Sequence, residues 1–186
     1  MGILTASETA AWLRQHDHYT ILTHRRPDGD TLGSAALLCR GLRAIGKTAH
    51  VLHNPETTPK YRFVVEGLTK PKEAEGDTIL CVDVAIPGLL PDAFMHLADK
   101  IDLRIDHHRN NGPFTTHEYN DAIRASCAQV VYDVLEELGV GWTSPWRMPC
   151  MWASPPTPAA SSSATPRTRP VWQALCAPGS LPICPS

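Results

Sequence analysis

The stretch TILCVDVAIPGLLPDAFMHLADKIDLRIDHH, residues 78–108, decides the fold. It opens on Thr78 to Val84, a continuous apolar run with a single carboxylate, Asp83, near its end. A run of that length without polar alternation predicts a strand buried on both faces. Leu89 to Ala98 then carries apolar residues at helical spacing, and Ile101 to Ile105 reads as another strand that runs straight into Asp106-His107-His108. Strand, helix, strand, with each strand ending on ligand-type side chains, predicts a parallel unit with its chemistry at the carboxyl ends.

The flanking sequence extends the pattern. Thr5 and Glu8 are spaced as a capping box and predict a helix through about Gln15. Tyr19 to Thr23 reads as a strand, followed by the loop HRRPDGD at 24–30. Thr31 to Ile45 has a helical apolar stripe closed by Gly46, Thr48 to Leu52 reads as a strand, and a short helix is expected near Lys60 to Glu66. Ala125 to Leu138 is the last clear helix. The fold class expected is α/β, a parallel sheet flanked by helices over residues 1–142.

Composition bounds the function. With 42% hydrophobic and 19% charged residues, the chain of 186 residues reads as a soluble globular protein. A net charge of −2 lacks the basic footprint of a duplex-DNA binder. No apolar run is long enough to span a membrane, and the N-terminus has no secretory pattern, so a cytoplasmic location and no membrane partner are expected. The six cysteines form no CxxC pair; Cys39, Cys81 and Cys127 lie in apolar surroundings and read as small buried hydrophobes in a reducing compartment.

The polar clusters then define candidate chemistry. His24, Asp28 and Asp30 place one imidazole and two carboxylates within seven residues. Taken alone, Asp28-Gly29-Asp30 reads as a turn, but crowded carboxylates resist ionisation unless a cation neutralises them. Asp83 at the end of an apolar strand is costly unless paired or liganded. With Asp106, His107 and His108, three separate strand ends carry Asp/His sets, and mixed imidazole and carboxylate donors suit manganese, iron or cobalt.

These three motifs, HRRPDGD, the aspartate of CVDVA and IDHHRNNGPF, resemble in order and spacing the first three motifs of the DHH phosphoesterase family. The likeness covers roughly residues 5 to 142 and is greatest to the bacterial nano-RNase branch. Members of that branch degrade very short oligoribonucleotides, and some also dephosphorylate 3′-phosphoadenosine 5′-phosphate; related members hydrolyse cyclic dinucleotides. The resemblance implies two Mn2+ ions: His24 and Asp28 on the first, Asp30 and His107 on the second, with Asp83 bridging. It also implies that His108 sits near the scissile phosphate as a positioning or acid group and that Asp106 orients the histidine pair. The implied reaction is hydrolysis of a phosphate ester in short RNA or a small nucleotide. Arg25, Arg26 and Arg109 are the candidate phosphate contacts. A manganese-dependent inorganic pyrophosphatase shares these motifs, though the HRRPDGD loop is more like the nuclease branch. The sequence leaves open whether the chain is a monomer or a homodimer.

The last quarter departs from this pattern. From Ser144 to Ser186 there is no Asp or Glu, and ten of the 17 prolines fall there. Such a segment is expected to be disordered or irregular. The family's fourth motif, an aspartate in a sequence resembling YVGIxTDTG, is missing, and so is its C-terminal substrate-binding domain. Reading the codons for 146–157 one nucleotide earlier permits MADALYVGIATDTG across 146–159, with alanine at 149, valine at 152 and glycine at 153 forced. Residues 143–186 are therefore expected to be a frameshift product. A chain so altered is expected to lack one metal ligand and half its substrate cleft, which raises the alternative of an inactive remnant with residual metal or nucleotide binding.

Overall fold

The computed structural model describes residues 2–109 and 112–140. The irregular tail expected over 143–186, its frameshift reading, and Cys150, Cys176 and Cys184 fall outside the described residues.

Among the described residues, seven strands form one wholly parallel sheet: β1 (Gly2–Ile3), β2 (Tyr19–Leu22), β3 (Ala49–Leu52), β4 (Thr69–Lys70), β5 (Thr78–Val82), β6 (Leu103–Asp106) and β7 (His117–Asn120). Their spatial order is β1-β7-β6-β5-β2-β3-β4. The chain leaves β2 in one direction through β3 and β4, then returns to β5 on the other side of β2 and continues outward through β6 and β7. The order therefore reverses between β2 and β5, which opens a crevice at their carboxyl ends.

Helices α1 (Ala6–Gln15), α2 (Gly29–Ala44) and α3 (Cys127–Glu137) build the larger core against one face of the sheet, on Tyr19, Ile21, Val51, Leu80, Val82, Leu103 and Ile105. The opposite face carries a smaller core, in which Leu22, Leu52, Ile79 and Cys81 meet Phe94, Leu97 and Ile101. β5 contributes Leu80 and Val82 to one core and Ile79 and Cys81 to the other, which is why its sequence shows no alternation. Each fully buried leucine of α2 contributes about 1.5–3 kcal/mol. Close approach of α2 to α3 depends on Gly41, where an added Cβ would lie 2.3 Å from a Leu135 methyl.

The expected architecture is the one adopted, with local differences. The capping box at Thr5 and Glu8 is present. α2 starts at Gly29, two residues before the apolar stripe, because the Asp28 side chain accepts the N–H groups of Asp30 and Thr31. The helix expected over Leu89 to Ala98 is instead two 3-10 segments, Pro87–Leu89 and Asp92–Lys100. Pro91 separates them; it lacks the N–H that would carry an α-helical ladder through. The short helix near Lys60 is likewise 3-10, Pro59–Val65. β1, β4 and β7 lacked a legible signal, since two to four residues show no period. Cys39, Cys81 and Cys127 are buried and free, as expected. No helix among the described residues is long and apolar enough to cross a membrane.

Candidate metal centre

Every residue singled out as a candidate ligand gathers at the β2/β5 crevice. β2 ends into Thr23 and His24. Asn54, just past β3, fixes that exit by donating to Thr23 Oγ1 at 3.0 Å and to the His24 carbonyl at 2.9 Å. The Nδ1 of His24 donates to the Arg25 carbonyl at 2.7 Å, which turns Nε2 toward Asp28 (3.8 Å) and Asp83 (3.7 Å). Asp28 is the α2 N-cap, and Asp30 lies in the first turn, where the helix dipole favours negative charge.

Asp83 follows β5 directly and adopts φ +59, a left-handed conformation that a non-glycine residue rarely takes. The kink places its carboxylate, 4% exposed, at the centre of the crevice. One oxygen, Oδ2, faces His24; the other, Oδ1, faces His107 Nε2 at 3.5 Å and His108 Nδ1 at 3.7 Å. Oδ1 is buried and has no hydrogen-bond partner. Asp83 thus belongs to two groups of possible ligands, His24–Asp28–Asp83 and Asp83–His107–His108, each with its donor atoms within 4.8 Å of one another.

Asp30 stands 3.6 Å from His107 Nε2. Its carboxylate also accepts N–H groups from the first turn of α3, Cys127 at 2.9 Å and Ala128 at 3.1 Å. α3 has no side-chain cap of its own from Ser126, so Asp30 supplies one from another helix. His107 is oriented by the Arg124 carbonyl, 3.3 Å from its Nδ1. Asp106, the last residue of β6 and fully buried, accepts the N–H of His107 at 2.8 Å and the Nδ1–H of His108 at 2.7 Å.

The charges interact strongly. His24 Nε2 beside the Asp28 carboxyl, together with the α2 N–H groups it accepts, holds that carboxyl down at about 2. Burial works against a charged His24, yet Asp28, the Arg25 carbonyl and Asp83 raise it overall. The Asp83 carboxylate pushes His107 up to about 9, against burial. Burial and the neighbouring Asp83 charge raise Asp30. Without a cation the crevice takes up protons to balance its carboxylates, and a bound cation would compete with those protons. A buried carboxylate oxygen without a partner, flanked by imidazoles and further carboxylates, fits a divalent ion of the manganese, iron or cobalt type.

A model of the DHH family N-terminal domain matches residues 18–151. The chain belongs to the DHH family. A bifunctional oligoribonuclease and PAP phosphatase, NrnA, from Thermus thermophilus is 34% identical to it over 130 residues, which make up 67% of this chain and 38% of that protein. This DHH chain therefore spans about two fifths of the curated relative it matches. Among solved structures, an exopolyphosphatase-related protein from Bacteroides fragilis is 22% identical with a TM-score of 0.59, covering 73% of this chain and 44% of its own. A manganese-bound exonuclease RecJ is 18% identical with a TM-score of 0.48, covering 81% and 42%. At 22% identity the first of these structures speaks to the fold alone.

Other parts of the site had no motif to announce them. Asn54, the Arg124 carbonyl and the α3 N–H groups hold the ligand-type side chains, and backbone groups leave no mark in a sequence. Arg104, buried inside β6, could have been flagged, because a buried charge in a strand demands a partner; its partner Glu118 lies in the polar strand HEYN, which gave no signal. The three arginines considered for phosphate are all exposed; Arg25 stands 3.8 Å from Asp92.

Proposed function

We propose that this chain is the metal-binding N-terminal domain of a manganese-dependent phosphoesterase acting on short oligoribonucleotides or small nucleotides such as 3′-phosphoadenosine 5′-phosphate. The observation that carries the reading is the buried, unpartnered oxygen of Asp83, shared by two His/Asp groups at the point where strand order reverses. His24 and Asp28 would hold one ion, Asp30 and His107 a second, and Asp83 both. A pair of ions so held supplies an activated water and neutralises the charge that develops on the displaced oxygens. The chain's own side chains do the rest. The carbonyls of Arg25 and Arg124 orient the ligand imidazoles. Asp106 holds His108 by Nδ1, leaving Nε2 to meet a phosphate oxygen. The substrate class is supported by the name of the 34%-identical relative.

Calorimetric titration of the metal-free full chain with manganese tests the reading. Binding of two ions, cut to one in His107→Ala, is expected, with hydrolysis of a dinucleotide once the 146–159 segment is returned to the frame that restores an aspartate at 157. A chain that takes up no manganese refutes it. A second reading, a remnant that binds metal without catalysis, is favoured by the absence of any acidic residue after Glu137. It predicts at most one ion per chain where the enzyme has two.

A further inference from the structure

Arg104 lies inside β6, two residues before Asp106, and is 1% exposed. A buried guanidinium costs several kcal/mol unless its donors are met; both terminal nitrogens are met here, whereas the buried Nε has no hydrogen-bond partner. Its Nη2 donates to Glu118 Oε2 at 2.6 Å. Its Nη1 donates to Asp106 Oδ2 at 3.2 Å and to the Ala85 carbonyl at 3.0 Å, with the Val84 carbonyl at 3.4 Å. The Phe114 ring centroid lies 4.8 Å from the guanidinium carbon. Glu118, in β7, uses its other oxygen for the N–H groups of Phe114 at 2.7 Å and Thr115 at 3.3 Å, and for Thr115 Oγ1 at 3.3 Å.

One buried cation thereby joins three segments. It grips the turn that follows Asp83, the carboxylate at the end of β6, and, through Glu118, the loop that leads into β7. Only the guanidinium shape allows this, because a planar fork donates in several fixed directions where an ammonium is a point charge. Arg104 stands next to the groups that hold the candidate ligands. The Val84 and Ala85 carbonyls that Arg104 holds directly follow the left-handed Asp83, and Asp106 presents Oδ1 to His108 while its Oδ2 is tied to Arg104.

We infer that Arg104, clamped by Glu118, is a positioning residue for the metal centre. It sets the Asp83 turn and the Asp106 carboxylate in one frame, so that His108 is held as a single tautomer with Nδ1 protonated. The inference rests on the reading of Asp83 and His108 as parts of a metal-dependent centre. An ion pair serving stability alone would tolerate apolar replacement, since buried pairs are often exchanged for hydrophobic residues without loss.

Removing Arg104 alone would leave Glu118 buried without a cation, so the test variant is Arg104→Met/Glu118→Gln, whose amide oxygen still accepts the Phe114 and Thr115 N–H groups, while Asp106 keeps the His107 N–H and the His108 Nδ1–H on its Oδ1. Two measurements are made on the full chain. Nitrogen-15 spectra of the metal-free protein report which ring nitrogen of His108 carries its proton, and manganese titration reports affinity. The wild type is expected to show the Nδ1–H tautomer. The double variant is expected to show a mixture and to bind manganese about 10- to 100-fold more weakly, with Arg104→Lys in between. A double variant that keeps both the single tautomer and the wild-type affinity overturns the inference. If it does not fold, Arg104→Lys carries the same two readouts, and no change in either overturns the inference. A wild type with the single His108 tautomer but no affinity for manganese refutes the metal reading and leaves the positioning of His108 standing.

Discussion

The two halves of the crevice use the same side-chain types but are held in different ways. The half around His24 and Asp28 comes from one unbroken segment. His24 is oriented by its own neighbour's carbonyl, and Asp28, with a side chain 62% exposed, caps its own helix. The half around Asp30 and His107 is assembled from afar. Asp30, 17% exposed, caps α3 almost a hundred residues away, and His107 leans on the Arg124 carbonyl. Asp83 joins the halves, one oxygen to each. The difference teaches that one half is local, with an exposed carboxylate, whereas the other is a product of tertiary packing. Perturbations should separate them.

The largest effect is expected at the shared residue. Asp83→Ala removes a donor from both groups and should abolish manganese binding altogether, read by calorimetry on the full chain. If one ion still binds with unchanged affinity, the halves are independent and the bridging role is wrong. Folding should survive, because the side chain makes no hydrogen bond from Oδ1 and its backbone N–H is already taken by the Ile105 carbonyl.

A smaller effect, on the order of 2 kcal/mol, is expected from pH in the metal-free chain. His107 is raised to about 9, so the folded state holds a proton that the unfolded chain releases near 6.5. That contribution is fully present below pH about 6.5 and is lost as pH rises through about 9. His24, also raised, acts in the same direction. Denaturant unfolding between pH 6 and 10, as round values on either side of that window, should therefore show stability falling with rising pH. Saturating manganese should reverse the slope, since the imidazoles must lose their protons to bind it. A flat profile in the metal-free protein would mean that the Asp83–His107 pair contributes nothing.

How far the sequence disclosed this site follows the same division. His24, Asp28 and Asp30 sit in a seven-residue loop, and Asp83 and Asp106-His107-His108 each follow a segment that reads as a strand, so the chain order alone exposed them. β5 was legible because both its faces are buried. The reversal of strand order between β2 and β5 was not, since nothing in residues 19–22 or 78–82 states which strands are neighbours. The capping of α3 by Asp30 was equally hidden: its partners are backbone N–H groups, and only packing of α2 on α3 through Gly41 brings them together. Arg104 in LRID was an anomaly in plain view whose meaning depends on Glu118 in a strand too short to read. The prolines at 87 and 91 already contained the reason the intervening segment is 3-10.

The smallest expected effects carry opposite signs. Asp28 accepts two backbone N–H groups on the one oxygen Oδ1, so asparagine keeps both bonds and removes the charge. Asp30 accepts the Cys127 N–H on Oδ2 and the Ala128 N–H on Oδ1, so asparagine removes the charge but keeps only one of the two bonds. Asp30 is raised because burial and the Asp83 charge disfavour its ionised form, so above pH about 4 its charge opposes folding of the metal-free chain. Asp30→Asn relieves that charge but gives up one of the two α3 N–H bonds, so it should stabilise that chain only slightly, by about 0.5 kcal/mol. Asp28 is lowered to about 2 by His24, so its charge favours folding above pH about 4. Asp28→Asn should destabilise by about 0.5 kcal/mol, the value left after solvent screening of a side chain more than half exposed. Both variants should lose manganese affinity, so the gain in Asp30→Asn should vanish when the wild type is saturated with metal. Matched denaturant curves at pH 7, with and without manganese, read all four values. Two metal-free variants that shift the same way would show that the two carboxylates share one environment, and the division between a local and an assembled half would fall.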